Sequence, residues 1–356
     1  MDRRQLMAST VAAVVAGGAT ASAQQQLIRL TASAGHPPSF LWVRVLEEYF
    51  IPEVDRRLAA AGGKHKIEWT KAWGGTLAKV GQESVAIKDG VADIGWVGTL
   101  FEAARFPLQN VTYYAPFGST DVALISKIVG DIQNKHPAMA DAWTKNNLVY
   151  LSGASLDTYQ IFSTFPINSI DDLNGRKISA PGTAANWVKG TGAIAVSGNL
   201  NTYFEDIKAG ASEGALAFVT GGFAARLHEV TKYATRINIG AMYAGGIVVN
   251  KRRFDRLPPE VQQVLREVGA GYSERFASLE IETAAAIEKK MTEAGVVFAD
   301  LAPAERKRWA DALPNIGHLW ADDLESKQRL PARAVLTDYM AALKSAGVEV
   351  PRDWGK

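Results

Sequence analysis

The 356-residue chain contains no cysteine. This absence excludes cysteine nucleophiles, thiolate metal sites and disulfide bonds, and it is compatible with an oxidising compartment. The chain also has little net charge, because 39 Lys and Arg residues face 37 Asp and Glu residues and the formal net charge is +2. Charges of both signs are mixed along the sequence without a basic stripe, so no nucleic-acid partner is expected.

Motifs of the common enzyme classes are missing as well. The five histidines show no paired metal-ligand spacing, and neither a G-x-S-x-G elbow nor a P-loop occurs. Gly190 and Gly192 look like part of a dinucleotide-binding turn, but the third glycine has the wrong spacing and no strand leads into the turn. We therefore predict no enzyme activity, no catalytic residue, no metal and no cofactor.

Long apolar runs are absent too, and the N-terminal one has the features of an export signal. Arg3 and Arg4 precede a modest apolar stretch at 6–15, and residues 21–23 form an A-x-A cleavage site. The stretch is too short and too rich in Ala, Ser and Thr to span a bilayer. We predict a signal peptide over 1–23 and an exported protein, carried by the Sec or the twin-arginine pathway. The alternative is an N-terminal helix retained in a cytoplasmic protein.

The sequence does contain a regular alternation of strand and helix patterns. Residues 92–97 and 148–152 are nearly all apolar, as in buried strands of parallel sheets, whereas residues 41–61 space their apolar positions helically. Such alternation predicts the α/β class. The chain is long enough for two domains, and repeated crossing between two α/β lobes predicts a hinge and a ligand cleft between them.

The pattern predicts the following division. Lobe I comprises residues 24–151 plus 244–273, and lobe II comprises residues 152–243 plus 274–356, the latter with a C-terminal helical extension. The region after Pro303 either covers the second lobe or forms a homodimer, so a monomer and a homodimer through the C-terminal helices both remain open.

Four short segments occur in an order that points to one family. They are the residues 74–77, 89–95, 173–178 and 227–233. In this order, behind an export signal, they resemble the extracytoplasmic solute receptors of TRAP transporters, the dicarboxylate-receptor family. The resemblance runs from residue 27 to at least residue 288. It implies a periplasmic binding protein of type II, which binds a small organic acid by lobe closure and delivers it to the TRAP membrane permease subunits.

The chain departs from that family at the positions that usually bind the substrate. The family commonly has an arginine that clamps a carboxylate where this chain has Ser179, and an asparagine where it has Ala217. A second arginine is replaced in the neighbourhood of Thr158 and Tyr159. A serine hydroxyl cannot replace the two charge-assisted bonds of a guanidinium. The ligand is therefore expected to be bulkier or less charged, with an apolar or aromatic body.

The candidate ligand-binding residues fall into three groups. The aromatic candidates, near strand ends where lobed α/β proteins bind ligands, are Trp73, Trp96, Tyr159, Phe218 and Tyr243. The resemblance adds Ser179 and Asn199, and His36 could reach the cleft from the first loop. Lys71 could supply the positive charge that Ser179 cannot. Each of these residues also has a plain structural explanation. It is hydrophobic core for the aromatics other than Tyr159, a contact at the lobe interface for Tyr159, turn capping for Ser179 and Asn199, local hydrogen bonding for His36, and solvent exposure for Lys71.

Three questions stay open at this point. The receptor could serve an ATP-driven importer or a sensor kinase instead of a TRAP permease. A periplasmic enzyme on a related two-lobed scaffold would need an acid/base pair that we do not find. Whether the ligand is a mono- or a dicarboxylate is also undecided.

Overall fold

The computed structural model describes residues 25–356, which form two β-sheets surrounded by helices. The predicted signal peptide lies outside the described residues. The strands are β1 Gln26–Ser33, β2 His65–Ala72, β3 Ile94–Gly98, β4 Leu148–Leu156, β5 Gln160–Ser163, β6 Lys177–Ala180, β7 Ile194–Ser197, β8 Gly214–Ala217, β9 Tyr233–Arg236, β10 Met242–Asn250 and β11 Val297–Asp300. Their order is β2-β1-β3-β10-β4 in the first sheet and β11-β9-β5-β8-β6-β7 in the second.

Helices cover both sheets. They are α1 Leu41–Val45, α2 Ile51–Ala60, α3 Glu83–Lys88, α4 Val111–Tyr114, α5 Val122–Lys135, α6 Pro137–Lys145, α7 Tyr203–Lys208, α8 Val219–Ala224, α9 Lys251–Asp255, α10 Pro259–Glu293, α11 Pro303–Ala312, α12 Ile316–Gln328 and α13 Ala332–Ser345. A π-helical turn joins α1 to α2, so the helix predicted over 41–61 is one continuous helical segment. Among the described residues, no helix combines the length and the apolar character needed to cross a membrane.

The burial of β10 agrees with its position inside the first sheet. In the first sheet β1 runs parallel to β2 and β3, and β10 lies antiparallel between β3 and β4. All nine residues of β10 are buried, as its central position requires, because helices cover both faces of this strand. The predicted α/β fold with two lobes is confirmed.

Among the described residues, the strands of the two sheets are joined by three passages of the chain between the lobes. It crosses from β4 to β5, returns from β9 to β10, and crosses again within α10, which packs on β4 of the first lobe and α8 of the second. The first two connections are paired: Tyr159 N donates to Gly240 O at 3.2 Å, and Ile239 N donates to Tyr159 O at 3.3 Å. The predicted boundary at 273/274 falls inside the continuous helix α10, and those at 151/152 and 243/244 fall inside β4 and β10.

The C-terminal helices do not simply cover the second lobe. Helix α11 packs beside residues 170–173 of the second lobe, but α13 packs on α4 and α5, beside the first sheet. The buried face of α13 carries Val335, Leu336 and Tyr339, and burying that face requires an apolar partner. The C-terminal region therefore contacts both lobes.

A buried carboxyl pair lies where the first connection meets α10. Asp157 follows β4, Glu280 lies within α10, and Thr220 lies in α8. The Thr220 hydroxyl is 2.9 Å from Asp157 Oδ1 and 2.9 Å from Glu280 Oε1, and Asp157 N donates to Glu280 Oε1 at 3.2 Å. Burial, and then the neighbouring Asp157 charge, raise the pKa of Glu280 well above its ordinary value. Two carboxylates this close and this buried cannot both ionise, so the pair holds one proton.

Replacing Glu280 with glutamine should therefore flatten the dependence of stability on pH. Above the ordinary pKa of 4.5 the unfolded chain releases this proton while the folded chain keeps it, so wild-type stability falls as pH rises toward the raised folded pKa. The amide of Glu280→Gln cannot ionise and still presents a donor to Asp157. Thermal unfolding between pH 5 and pH 9 measures the effect. The exposed neighbour provides the control Glu282→Gln, which should follow the wild type, and parallel curves for wild type and Glu280→Gln would contradict the shared proton.

Candidate ligand-binding site

A cavity lies between the two lobes beside the paired connections. The space that can hold the centre of a water molecule is about 40 Å³, so the cavity is narrow in this arrangement. The first lobe and the segments packed on it contribute His36, Trp42, Glu83, Trp96, Gly98, Leu100, Phe101, Tyr113, Leu156 and Ala244. The second lobe and its connection contribute Tyr159, Pro181, Leu200, Tyr203, Leu216 and Phe218.

Aromatic rings form most of the wall and meet across the two lobes. Trp42, at the start of α1, has its ring centroid 5.1 Å from that of His36 in an edge-to-face arrangement. Across the cleft it lies 6.1 Å from Phe218, which in turn lies 5.2 Å from Tyr159. These spacings are typical of packed aromatic pairs. The lobes are therefore in contact around the cavity.

Several polar groups on this wall have no hydrogen-bond partner in the part of the chain that the structure describes. The buried atoms concerned are His36 Nε2, Trp42 Nε1, Tyr113 Oη and Tyr203 Oη. Native proteins rarely leave buried polar groups unpaired, so each of these atoms calls for a partner such as a water molecule or a ligand. The indole N–H can only donate, and the hydroxyls and the imidazole can also donate. The cavity is therefore rich in hydrogen-bond donors.

The charges around the cavity are unusual for a site that binds acids. Among residues 25–356 no Arg or Lys lines it, and the titratable groups other than tyrosine are His36 and Glu83. Burial lowers the pKa of His36 to about 3, so the imidazole is neutral at pH 7. Burial also raises the pKa of Glu83 to about 8. Backbone hydrogen bonds to its carboxyl group, such as that from Gly81 N to Oε2 at 2.6 Å, act to lower this pKa but do not outweigh burial. Both groups are therefore mainly uncharged at pH 7.

Close approach of the lobes requires a glycine at one point. Gly182 follows β6 with φ +48°, and a Cβ there would lie 2.7 Å from the carbonyl oxygen of Leu100 in the first lobe. Any other residue would be strained by its backbone conformation and would also collide with the opposite lobe.

Comparison with known proteins identifies the family. Residues 56–322 match the family described as bacterial extracellular solute-binding protein, family 7 (DctP). The chain belongs to this family. The resemblance to TRAP receptors is thereby confirmed, and the molecule is an extracytoplasmic solute-binding receptor.

Solved structures of TRAP receptors share the fold of this receptor. One is a TRAP solute-binding protein from Rhodoferax ferrireducens T118 in complex with copurified benzoate, with TM-score 0.78, 19% identity, and coverage of 90% of this chain and 98% of that one. A TRAP periplasmic solute-binding protein from Bordetella bronchiseptica with bound (R)- and (S)-mandelate has a TM-score of 0.75 and 21% identity, with coverage of 90% of this chain and 99% of that one. DctP7 from Bordetella pertussis is an extracytoplasmic solute receptor binding pyroglutamic acid. It has a TM-score of 0.75 and 20% identity, with coverage of 88% of this chain and 99% of that one.

Four residues predicted from the sequence line the receptor's cavity. His36 lies in the loop after β1, Trp96 in β3, Tyr159 in the connection between β4 and β5, and Phe218 directly after β8. All four are nearly inaccessible to solvent. Whether they contact a ligand remains a prediction.

Three other predicted residues lie away from the cavity. Ser179 is fully buried within the second lobe, where its hydroxyl bonds that of Ser212 at 2.9 Å. Tyr243 lines a separate depression beside β4, and its hydroxyl lies 3.1 Å from that of Tyr150. Lys71 does not replace the missing arginine at the cavity, because its ammonium pairs with Glu47 at the surface.

Trp73 and Asn199 also lie outside the cavity lining. Trp73 is half-buried just after β2 and packs on the hydrophobic core. Asn199 stabilises the turn before α7, where its Oδ1 accepts from Asn201 N at 2.9 Å. Turn capping is the structural explanation that the sequence already offered for Asn199.

Four polar lining residues were not predicted. Trp42 and Glu83 belong to segments that the sequence identifies only as helical, and Tyr113 and Tyr203 belong to short helices. The position of two of these residues could have identified them. Trp42 follows the Pro37-Pro38 turn at the start of a helix, and Tyr203 begins the helix after β7. Helix starts beside strand ends are common ligand sites in α/β proteins.

Proposed function

We propose that this receptor binds a small carboxylic acid with a flat, apolar body in the cavity between its lobes. The observation that carries this proposal is a set of hydrogen-bond donors without partners in an aromatic cavity wall. Among the described residues, this wall contains no Arg or Lys. The chain then passes the acid to the membrane subunits of a TRAP transporter.

The donors define the polar part of the ligand. Trp42 Nε1 can only donate, so it requires an acceptor atom from the ligand. A carboxylate offers two strong acceptor oxygens, and neutral donors can hold it without a guanidinium. Tyr113 and Tyr203 supply further hydroxyls for a second ligand oxygen.

The wall defines the apolar part. Trp42, Trp96, Tyr159 and Phe218 contribute rings to a narrow space, which favours a flat body that stacks on them. Benzoate, mandelate and pyroglutamic acid, the ligands of structural neighbours, each join a ring to a carboxylate and support this class. A single charged end suits this cavity better than two, so we propose a monocarboxylate.

The binding step is closure of the lobes. Residues of both lobes surround the cavity, so a ligand that contacts both stabilises the closed state, which the permease recognises. We propose a periplasmic receptor without enzymatic activity, exported by the signal at residues 1–23. A receptor for another importer or a sensor is the alternative: neighbouring genes for TRAP membrane subunits favour our proposal, and an adjacent ATPase gene opposes it.

A thermal-shift screen tests the ligand class. Benzoate, mandelate and pyroglutamate should raise the melting temperature, whereas succinate and malate should have a much smaller effect because no cationic group at the cavity offsets a second buried carboxylate. Stabilisation by succinate or malate alone would contradict the proposal.

Removal of one donor tests the site itself. Trp42→Phe keeps an aromatic ring but loses the indole N–H, and the loss of one bond to a charged acceptor costs about 1.5–3 kcal/mol. Affinity for the best acid of the screen should fall roughly 10- to 150-fold by calorimetry. Trp73→Phe is the matched control, since Trp73 lies outside the cavity lining. Equal effects of the two substitutions would refute the placement of the carboxylate at Trp42.

Gly182 tests lobe closure. Gly182→Ala should weaken binding of the same acid at least about tenfold, because the new methyl group meets Leu100 only when the lobes are together. Gly175→Ala is the control: Gly175 also has a positive φ, +73°, but no atom lies within 4 Å of its Cβ position. Both variants should lose some stability, and only the first should lose affinity. Unchanged affinity in Gly182→Ala would mean that the ligand does not need this contact.

A further inference from the structure

Neutral donors can orient a carboxylate in this cavity, but they do not offset its negative charge. Burying an unpaired anion is costly, and proteins avoid it by pairing the charge or by neutralising it with a proton. Among residues 25–356 no Arg or Lys lines the cavity. The position of the family's usual arginine is Ser179, whose hydroxyl is occupied by Ser212. A proton is therefore the charge that this site can still supply.

His36 is placed to receive that proton. Its side chain is 6% exposed, its Nε2 has no partner within the described chain, and its ring packs edge-to-face on Phe40 and Trp42. The titratable groups that line the same cavity are Glu83 from α3, Tyr113 from α4, Tyr159 from the connection and Tyr203 from α7. None of these can become a cation.

We propose that the receptor takes up one proton with each molecule of acid, and that this proton lies in the hydrogen bond between the ligand carboxylate and Nε2 of His36. This inference rests on the proposed function, since it requires a carboxylate in the cavity. A carboxylate within hydrogen-bond distance favours the charged imidazole, and the resulting pair is neutral as a whole.

Glu83 is not the group that receives the proton. Its pKa of about 8 means that its carboxyl already carries a proton at pH 7 before any ligand is present. His36, in contrast, is neutral in the cavity because burial lowers its pKa to about 3. A ligand carboxylate nearby favours the protonated form of both groups. It therefore adds a proton to His36, whereas Glu83 only holds more firmly the proton that it already carries.

Calorimetry with benzoate tests the proposal. Titrations are made at pH 7.0, about one unit below the pKa of Glu83. Measurements in phosphate and in Tris give the number of protons taken up from the dependence of the heat on the ionisation enthalpy of the buffer. An ordinary histidine is mostly neutral at this pH. The wild type should take up close to one proton, and its dissociation constant should rise about tenfold per pH unit between pH 6 and pH 7.5, where Glu83 keeps its own proton.

Two comparisons assign the proton. His36→Gln keeps a polar amide but cannot titrate, so its proton uptake should fall close to zero, whereas His228→Gln, outside the cavity lining, should behave as the wild type. Benzamide, which has the same ring without the charge, should bind to the wild type without proton uptake; this measurement needs no variant and stands even where His36→Gln binds benzoate too weakly to measure.

The outcomes separate the two proposals. Benzoate binding without proton uptake, uptake that persists in His36→Gln, or equal uptake with benzamide each overturns the proton coupling and leaves the proposed function standing. Failure of benzoate, mandelate and pyroglutamate to bind at any pH between 6 and 8.5 overturns the proposed function and the proton coupling together.

Discussion

The paired connections between the lobes are the constraint on which the rest of this structure depends. The backbone bonds between Tyr159 and the 239–240 segment hold two crossings together, and Asp157, Thr220 and Glu280 join the first crossing to α8 and α10. In this arrangement Phe218 packs on Tyr159 and lies beside Trp42 of the first lobe. The cavity wall forms from both lobes because these segments bring the carboxyl ends of β3, β4 and β8 to one place.

The missing arginine changes how such a wall can bind an acid. A guanidinium would hold a carboxylate by two charge-assisted bonds and would dominate the affinity. At position 179, where the family resemblance predicts this arginine, the chain has Ser179, whose hydroxyl bonds Ser212 within the second lobe. Within residues 25–356 no Arg or Lys lines the cavity. Recognition then passes to neutral donors and to ring surfaces, which reward the shape of the apolar body more than the number of charges.

The sequence predicted the fold better than the site, for physical reasons. The strands β3 and β10 are almost entirely apolar, with Asn250 at the end of β10 as the exception, and this signal does not depend on distant residues. The site depends on which face of a strand or helix meets the other lobe. Trp96 was predicted because it lies near a strand end, but Tyr243, also on an apolar strand, faces a different depression. Trp42 was missed because helical periodicity shows that a face is buried, not what it is buried against.

The unpartnered donors also explain why closure can depend on the ligand. In the arrangement with the lobes together, His36, Trp42, Tyr113 and Tyr203 each bury a polar atom that has no partner among residues 25–356, and each such atom costs about 1–3 kcal/mol. An open cleft returns these atoms to water and removes the cost. A ligand that supplies acceptors removes it while the lobes stay together, so the free energy that favours the closed state comes from the ligand's own polar atoms. An apolar molecule of the same shape would fill the cavity and leave this cost in place.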